Sequence, residues 1–240
     1  MFQVLIVIGW LLLGLMMAFI ATVLILNLCL IELKKEKYTD GDRWKFVSWL
    51  TNWAVPLLTF SKTEVDGLEK LDHDHLETGV IYANHYSIFD IFALLKAVKR
   101  QHAYIAKKEI GKIFLLNRGM RLMKCGFLDR DDPRAAVKTI SEAIQTVKLG
   151  ILMVIFPEGT RKIHAPLGSF KAGSFKVAVK AKASIVPVTI YNSHLVGKRW
   201  PRPTTVQIKV HDPIPYDVYK EMDTPEIAEM VEKIVKQELL

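Results

Sequence analysis

GVIYANHYSIFDIFALLKAV, residues 79–98, contains the pattern that decides the fold. Gly79–Ala83 is a short apolar run suited to a buried strand. Asn84–Tyr86 is a polar break, and Ser87–Val98 spaces its apolar residues as a helix does. The same alternation continues along the chain. Gly126–Leu128 reads as a short strand, Pro133–Lys148 as a helix, Ile151–Phe156 as a buried strand and Lys171–Ala183 as a helix. Ile185–Ile190 and Thr205–Val210 are further strands, and Thr224 with Pro225 opens a closing helix that runs to Leu240. Strands separated by helices imply an α/β fold, a mixed sheet flanked by helices.

The chain upstream of this pattern has a different character. Residues 2–31 carry no charge, and Gln3, Thr22 and Asn27 are their clearly polar members. About 20 apolar residues span a bilayer as a helix, so this run is long enough. A secretory signal peptide is the alternative, but it needs a basic start and a shorter apolar core. Here the first basic residue is Lys34. The segment therefore reads as a retained membrane anchor, either a tilted span or, with a break near Gly14, a one-leaflet insertion. Lys34, Lys35 and Lys37 follow it, which places the remainder on the cytoplasmic side of the cell membrane. The organisation expected is an anchor at 1–33, a possible interfacial helix at 34–62 and the main α/β domain at 63–240. Within 34–62, Trp44, Trp49 and Trp53 suit the headgroup level, a core helix is the other reading, and Pro56 is expected to kink or end the helix.

Mean hydropathy is +0.19, yet the formal net charge is +8. Nine Lys and Arg lie between Lys96 and Lys124 against Glu109 alone, and ten lie between Arg161 and Lys209 with no acid. Such a surface suits nucleic acid, anionic lipid or a phosphorylated substrate. The aromatic residues gather beside the anchor rather than among the cations, which favours lipid over nucleic acid. Cys29 and Cys125 offer no disulfide framework.

Two short stretches can do chemistry. In Asn84–Asp90, His85 falls in the loop before a helix, and Asp90 at its third position. Inside one helix the two would stand about 140° apart. With His85 in the loop, the carboxylate can turn back to one ring nitrogen and leave the other to take a proton. The competing reading is structural: Ser87-x-x-Asp90 is a capping box. The second stretch is Phe156-Pro157-Glu158-Gly159-Thr160-Arg161, a rigid turn at the end of a buried strand, where ligands of open α/β sheets bind. Arg161 there offers a planar fork for phosphate. Lys107 and Lys108 resemble an exposed helix face, and Pro187 is expected at an edge or bulge.

Other chemistries have weaker support. No Gly-x-Ser-x-Gly elbow occurs, Gly168–Gly173 has P-loop spacing but Ser174 in place of the lysine, and His73-Asp74-His75 lacks companion ligands for a metal.

Taken in order, NHYSIFD, AKKEI with FLDR, FPEGTR and IVPV resemble the four blocks of the 1-acylglycerol-3-phosphate acyltransferase family. The resemblance covers roughly residues 65–215. It implies His85 as general base and Asp90 as its orienting partner. It also implies Lys107, Arg130, Glu158, Gly159, Thr160 and Arg161 as acceptor-site residues. The implied donor is acyl-CoA or acyl carrier protein, the acceptor a lysophospholipid, with membrane lipids as partners and no nucleic acid, metal or other cofactor. Ile113–Asn117 departs from the family, which often has Pro and Gly there. Rival readings are the same fold acting on glycerol 3-phosphate or another lysophospholipid, and a non-enzymatic protein that binds anionic lipid.

Overall fold

The computed structural model describes residues 2–161, 168–198 and 202–239, without the side chains of 2–9, 11, 12, 15, 18, 19, 57 and 58. The chain runs through α1 (Phe2–Glu32), α2 (Asp40–Thr59), β1 (Ser61–Asp66), β2 (Gly79–Ala83), α3 (Phe89–Ala97) and β3 (His102–Lys107). It continues through α4 (Leu116–Leu122), β4 (Gly126–Leu128), α5 (Pro133–Lys148), β5 (Leu152–Ile155), α6 (Lys176–Ala181) and β6 (Ser184–Tyr191). It ends with β7 (Thr204–Val210), α7 (Tyr216–Tyr219) and α8 (Thr224–Gln237).

The strands form one sheet of seven, ordered β1-β7-β6-β2-β5-β3-β4. From β6 to β4 all neighbours are parallel; β7 runs antiparallel to β6, and β1 pairs parallel with β7, so the sheet is mixed. β2 and β5 are buried at every residue, as parallel strands covered on both faces must be. The crossover β2-α3-β3 advances in one direction across the sheet, while β4-α5-β5 and β5-α6-β6 return in the other. Right-handed crossovers therefore put α3 on one face and α5 and α6 on the opposite one. Tyr82 and Phe175, both fully buried, stack with ring centroids 4.2 Å apart in the layer under α6.

Two strands are absent from the sequence reading. β1 (SKTEVD) is a polar edge strand whose residues alternate between half-buried and exposed. β3 ends in Lys107, so Lys107 caps a strand rather than lying on a helix face, and Lys108 opens a 3-10 turn. Pro56 does not end α2: the helix runs past it to Thr59. Pro187 lies in a central strand, paired with Tyr82 of β2. It is tolerated because regular pairing with β7 begins only at Val188, while Ile185 bridges to Ile214.

α2 packs one face on the core and leaves the other exposed. Trp44 and Val47 are buried in the main core, whereas Trp49 and Trp53 are 58% and 70% exposed. α1 is continuous, with no break at Gly14. Its end docks on α4, where Leu30 and Leu33 bury against Leu122. Among the described residues no helix is long and apolar enough to cross a membrane.

Candidate active site

β2 and β5 are neighbours, with Tyr82 opposite Ile155, so the loops after them emerge side by side at the carboxyl end of the sheet. Lys107 at the end of β3 pairs with Leu128 at the end of β4, which brings the other two blocks to the same end. This is the end at which open α/β sheets bind ligands.

The loop after β2 is held before it turns. Asn84 is fully buried, and its amide makes two bonds to one residue of β6: Nδ2 donates to the Ile190 carbonyl at 2.8 Å and Oδ1 accepts from the Ile190 N–H at 2.7 Å. The side chain thus completes a strand-like pairing where β2 stops, and His85 follows directly.

His85 Nδ1 stands 2.8 Å from Asp90 Oδ2. That same oxygen accepts the backbone N–H groups of Tyr86 and Ser87, each at 2.8 Å. One carboxylate oxygen thus gathers the imidazole and two backbone N–H groups, while the Ser87 hydroxyl accepts from the Phe89 N–H rather than completing a capping box with Asp90. α3 begins at Phe89 rather than Ser87, so Asp90 is its second residue and its carboxylate reaches back over the loop. Asp90 is fully buried, and its other oxygen has no protein hydrogen-bond partner. With Nδ1–H donating to Asp90, Nε2 carries the free lone pair of the ring. Phe156 stacks on the imidazole, centroids 4.1 Å apart and planes 18° from parallel, which fixes the ring from its face.

Glu158 bridges the two loops. Oε1 accepts the His85 N–H at 2.8 Å, and Oε2 accepts the Gly168 N–H at 2.9 Å. Burial raises its pKa, and the two N–H bonds oppose the rise. With one N–H on each oxygen, it ties the His85 loop to the segment that begins at Gly168. Burial, with the nearby Glu158 charge, also raises the pKa of the Tyr86 hydroxyl.

Gly159 is a glycine for two reasons. Its φ of +71° lies in the left-handed region, and a Cβ would stand 2.8 Å from Arg130 Nη2. Arg130 lies against it, with Nη2 donating to the Gly159 carbonyl at 3.0 Å. Lys107, Thr160 and Arg161 are exposed at the same end of the sheet. The structure thus brings His85 and Asp90 into contact, joins them through Glu158 to the Gly159 turn, and sets Arg130 on that turn.

Two contributors were given no role of their own from the sequence: Asn84 and Phe156. Asn84 and Phe156 sit inside the quoted motifs, so a polar residue at the end of an apolar strand and an aromatic one at the next strand's end were the available signals. His73-Asp74-His75 is not supplemented: among the described residues no group of three or more His, Cys, Asp or Glu is placed to hold a metal.

Known proteins resemble the chain in sequence and in fold. Residues 62–191 match the family model described as Acyltransferase. A chloroplastic 1-acyl-sn-glycerol-3-phosphate acyltransferase of Brassica napus is 33% identical over 185 residues, covering 73% of this chain and 52% of that protein. A probable 1-acyl-sn-glycerol-3-phosphate acyltransferase of Mycoplasma pneumoniae is 30% identical over 173 residues, 66% of this chain and 65% of its own. The crystal structure of the 1-acyl-sn-glycerophosphate (LPA) acyltransferase PlsC from Thermotoga maritima aligns with a TM-score of 0.72 and 30% identity, over 95% of this chain and 93% of that one. The chain spans about half the length of the chloroplastic relatives it matches.

Proposed function

The chain belongs to the acyltransferase family, and from that premise we propose that it transfers a fatty acyl group from a thioester to the sn-2 hydroxyl of 1-acylglycerol 3-phosphate, forming phosphatidic acid. The observation that carries the reading is the His85–Asp90 pair, whose loop is tied through Glu158 to the turn that bears Gly159 and Arg161, with Arg130 bonded to the Gly159 carbonyl.

His85 Nε2 takes the proton of the acceptor hydroxyl as its oxygen attacks the thioester carbonyl. The tetrahedral intermediate collapses with loss of the thiolate, which receives the proton from His85. Asp90 orients the ring and stabilises the imidazolium between these steps. Among the described residues His85 is paired with Asp90 and the Ser87 hydroxyl is bonded to the Phe89 N–H rather than to His85, so the acyl group passes directly to the acceptor. Arg130, Arg161 and Lys107 hold the acceptor phosphate, and this positioning lowers the barrier by several kcal/mol. The donor is acyl-CoA or acyl carrier protein.

Both substrates carry acyl chains, so the site works at a membrane surface. The uncharged run 2–31 supplies the hydrophobic hold, exposed Trp49 and Trp53 sit at headgroup depth, and Lys34, Lys35 and Lys37 keep the catalytic domain on the cytoplasmic side. A cysteine placed at position 2, in a Cys29→Ser background, should react with an impermeant thiol reagent on intact cells. Protection until lysis would contradict a span and leave a one-leaflet anchor.

The reaction is tested by incubating membranes containing the protein with labelled acyl-CoA or acyl carrier protein and separate acceptors. These are 1-acylglycerol 3-phosphate, glycerol 3-phosphate and lysophospholipids with larger headgroups. Label is expected in phosphatidic acid. Preference for another acceptor would overturn the substrate, and lipid binding without turnover would overturn the enzyme.

A further inference from the structure

We propose that Lys108 is a positioning residue for the acceptor phosphate: it closes the Asp129–Asp131 turn, masks that turn's negative charge, and so keeps Arg130 directed at Gly159. The proposal rests on the acceptor reading above and adds a residue to it.

The register of the sheet creates the contact. Lys107 is paired with Leu128 across β3 and β4, so the next residues, Lys108 and Asp129, face each other where the strands end. Lys108 Nζ donates to Asp129 Oδ1 at 2.7 Å and to Asp131 Oδ2 at 2.8 Å. Asp129 Oδ1 also accepts the Asp131 N–H at 3.0 Å, the side-chain-to-backbone bond of an Asx turn. One ammonium therefore pins both ends of a three-residue turn, and Arg130 is the residue between them. These bonds hold the Lys108 pKa above the usual lysine range and the Asp129 pKa below that of a free carboxylate.

The turn points Arg130 away from its two acidic neighbours. Its Nη2 sits on the Gly159 carbonyl at 3.0 Å, leaving the rest of the fork exposed beside the base loop. Without Lys108, two carboxylates flank that guanidinium. They compete for it, and they repel an incoming phosphate. Exposed ion pairs contribute little to stability. The consequence of losing Lys108 therefore falls on phosphate affinity and depends on ionic strength.

The full-length protein in detergent micelles should be assayed in two ways, by equilibrium binding of 1-acylglycerol 3-phosphate and by steady-state kinetics. Lys108→Met should weaken phosphate-bearing acceptor binding and raise its KM about tenfold, with donor KM unchanged and a smaller gap in high salt. A phosphate-free monoacylglycerol should show no such change. Lys108→Arg should stay within about threefold of wild type, since it keeps the charge and the donors. Adding Asp129→Asn and Asp131→Asn to Lys108→Met should restore acceptor KM to within about threefold, because Asn retains the turn's acceptor but not the charge. Asp129→Asn with Asp131→Asn alone should not raise it. That pair keeps the test available if Lys108→Met fails to accumulate. An acceptor KM insensitive to Lys108→Met, no recovery in the triple variant, or a rise in the double variant would overturn the proposal. A wild type that binds the acceptor without acylating it overturns the reaction but leaves the Lys108 effect readable in binding. One that does neither overturns both.

Discussion

At the amino end of the sheet, Arg100 directs its guanidinium at the carbonyl oxygens of Leu71, Leu76, Glu77 and Gly150. Two residues on, His102 is fully buried, with Nδ1 2.8 Å from the Arg100 carbonyl and Nε2 3.0 Å from the Tyr104 hydroxyl. At the carboxyl end the same residue types are arranged differently. His85 has one nitrogen on Asp90 and keeps the other, while Arg130 and Arg161 are exposed. At one end histidine and arginine close the structure by satisfying orphan backbone groups; at the other they retain unused valences. What separates His102 from the proposed base His85 is the partner. A carboxylate stabilises an imidazolium in the way a proton transfer requires, whereas a buried carbonyl and hydroxyl around His102 do not prevent its pKa from falling to about 4 under desolvation.

The strongest challenge to this contrast is to exchange the histidines' fates. His85→Ala should lower turnover by about 10²–10⁴-fold, the usual contribution of a general base, with the melting temperature little changed. Activity above a tenth of wild type would remove His85 from the chemistry. Asp90→Asn should cost about 10²-fold in kcat and also lower stability, because the buried oxygen that accepts His85, Tyr86 and Ser87 serves the loop as well as the base. If only stability falls, Asp90 is a cap and nothing more.

His102 makes the opposite forecast. Its folded-state pKa lies below the unfolded value of about 6.5, so the unfolded chain binds the proton first. Its contribution to stability is present above about pH 6.5 and is lost as pH falls toward 4. Denaturant titrations should show about 2 kcal/mol of acid sensitivity between pH 7.5 and 5, roughly thirtyfold in the folding equilibrium, that His102→Gln lacks. An unchanged pH dependence would mean that His102 is not the buried group described. The smallest effect concerns the arginines. Arg161→Lys keeps the charge without the fork, and should raise acceptor KM about tenfold while donor KM holds. A donor KM that rises instead would move Arg161 to the thioester side.

The catalytic end was more legible in the sequence than the sheet that supports it. GVIYA is an uninterrupted apolar run followed by a polar loop, and such a strand announces itself. SKTEVD does not, because an edge strand with one exposed face alternates and carries charge. HAYIAK was obscured by Lys107 and Lys108, whose pairing looks like solvation until β4 is laid beside β3. The His-x₄-Asp spacing is local, so its contact could be reasoned from helix geometry. Asn84 meets Ile190 across 106 positions and Glu158 meets His85 across 73, and no periodicity encodes such distances. Of the two outcomes expected at Pro56, a kink or an end, the end does not occur: a helix anchored in the core at Trp44 and Val47, about three turns upstream, tolerates one missing backbone bond.

The central claim is direct acyl transfer with His85 as base. It is tested most directly by mixing the enzyme with a labelled acyl thioester, first without acceptor and then with 1-acylglycerol 3-phosphate, and separating protein from lipid after denaturation. The account predicts no label on the protein at either stage. It predicts label in phosphatidic acid only once acceptor is present, with His85→Ala producing less than a tenth as much and His102→Gln matching wild type. Acyl label bound covalently to the protein, or product formation undiminished in His85→Ala, would contradict it.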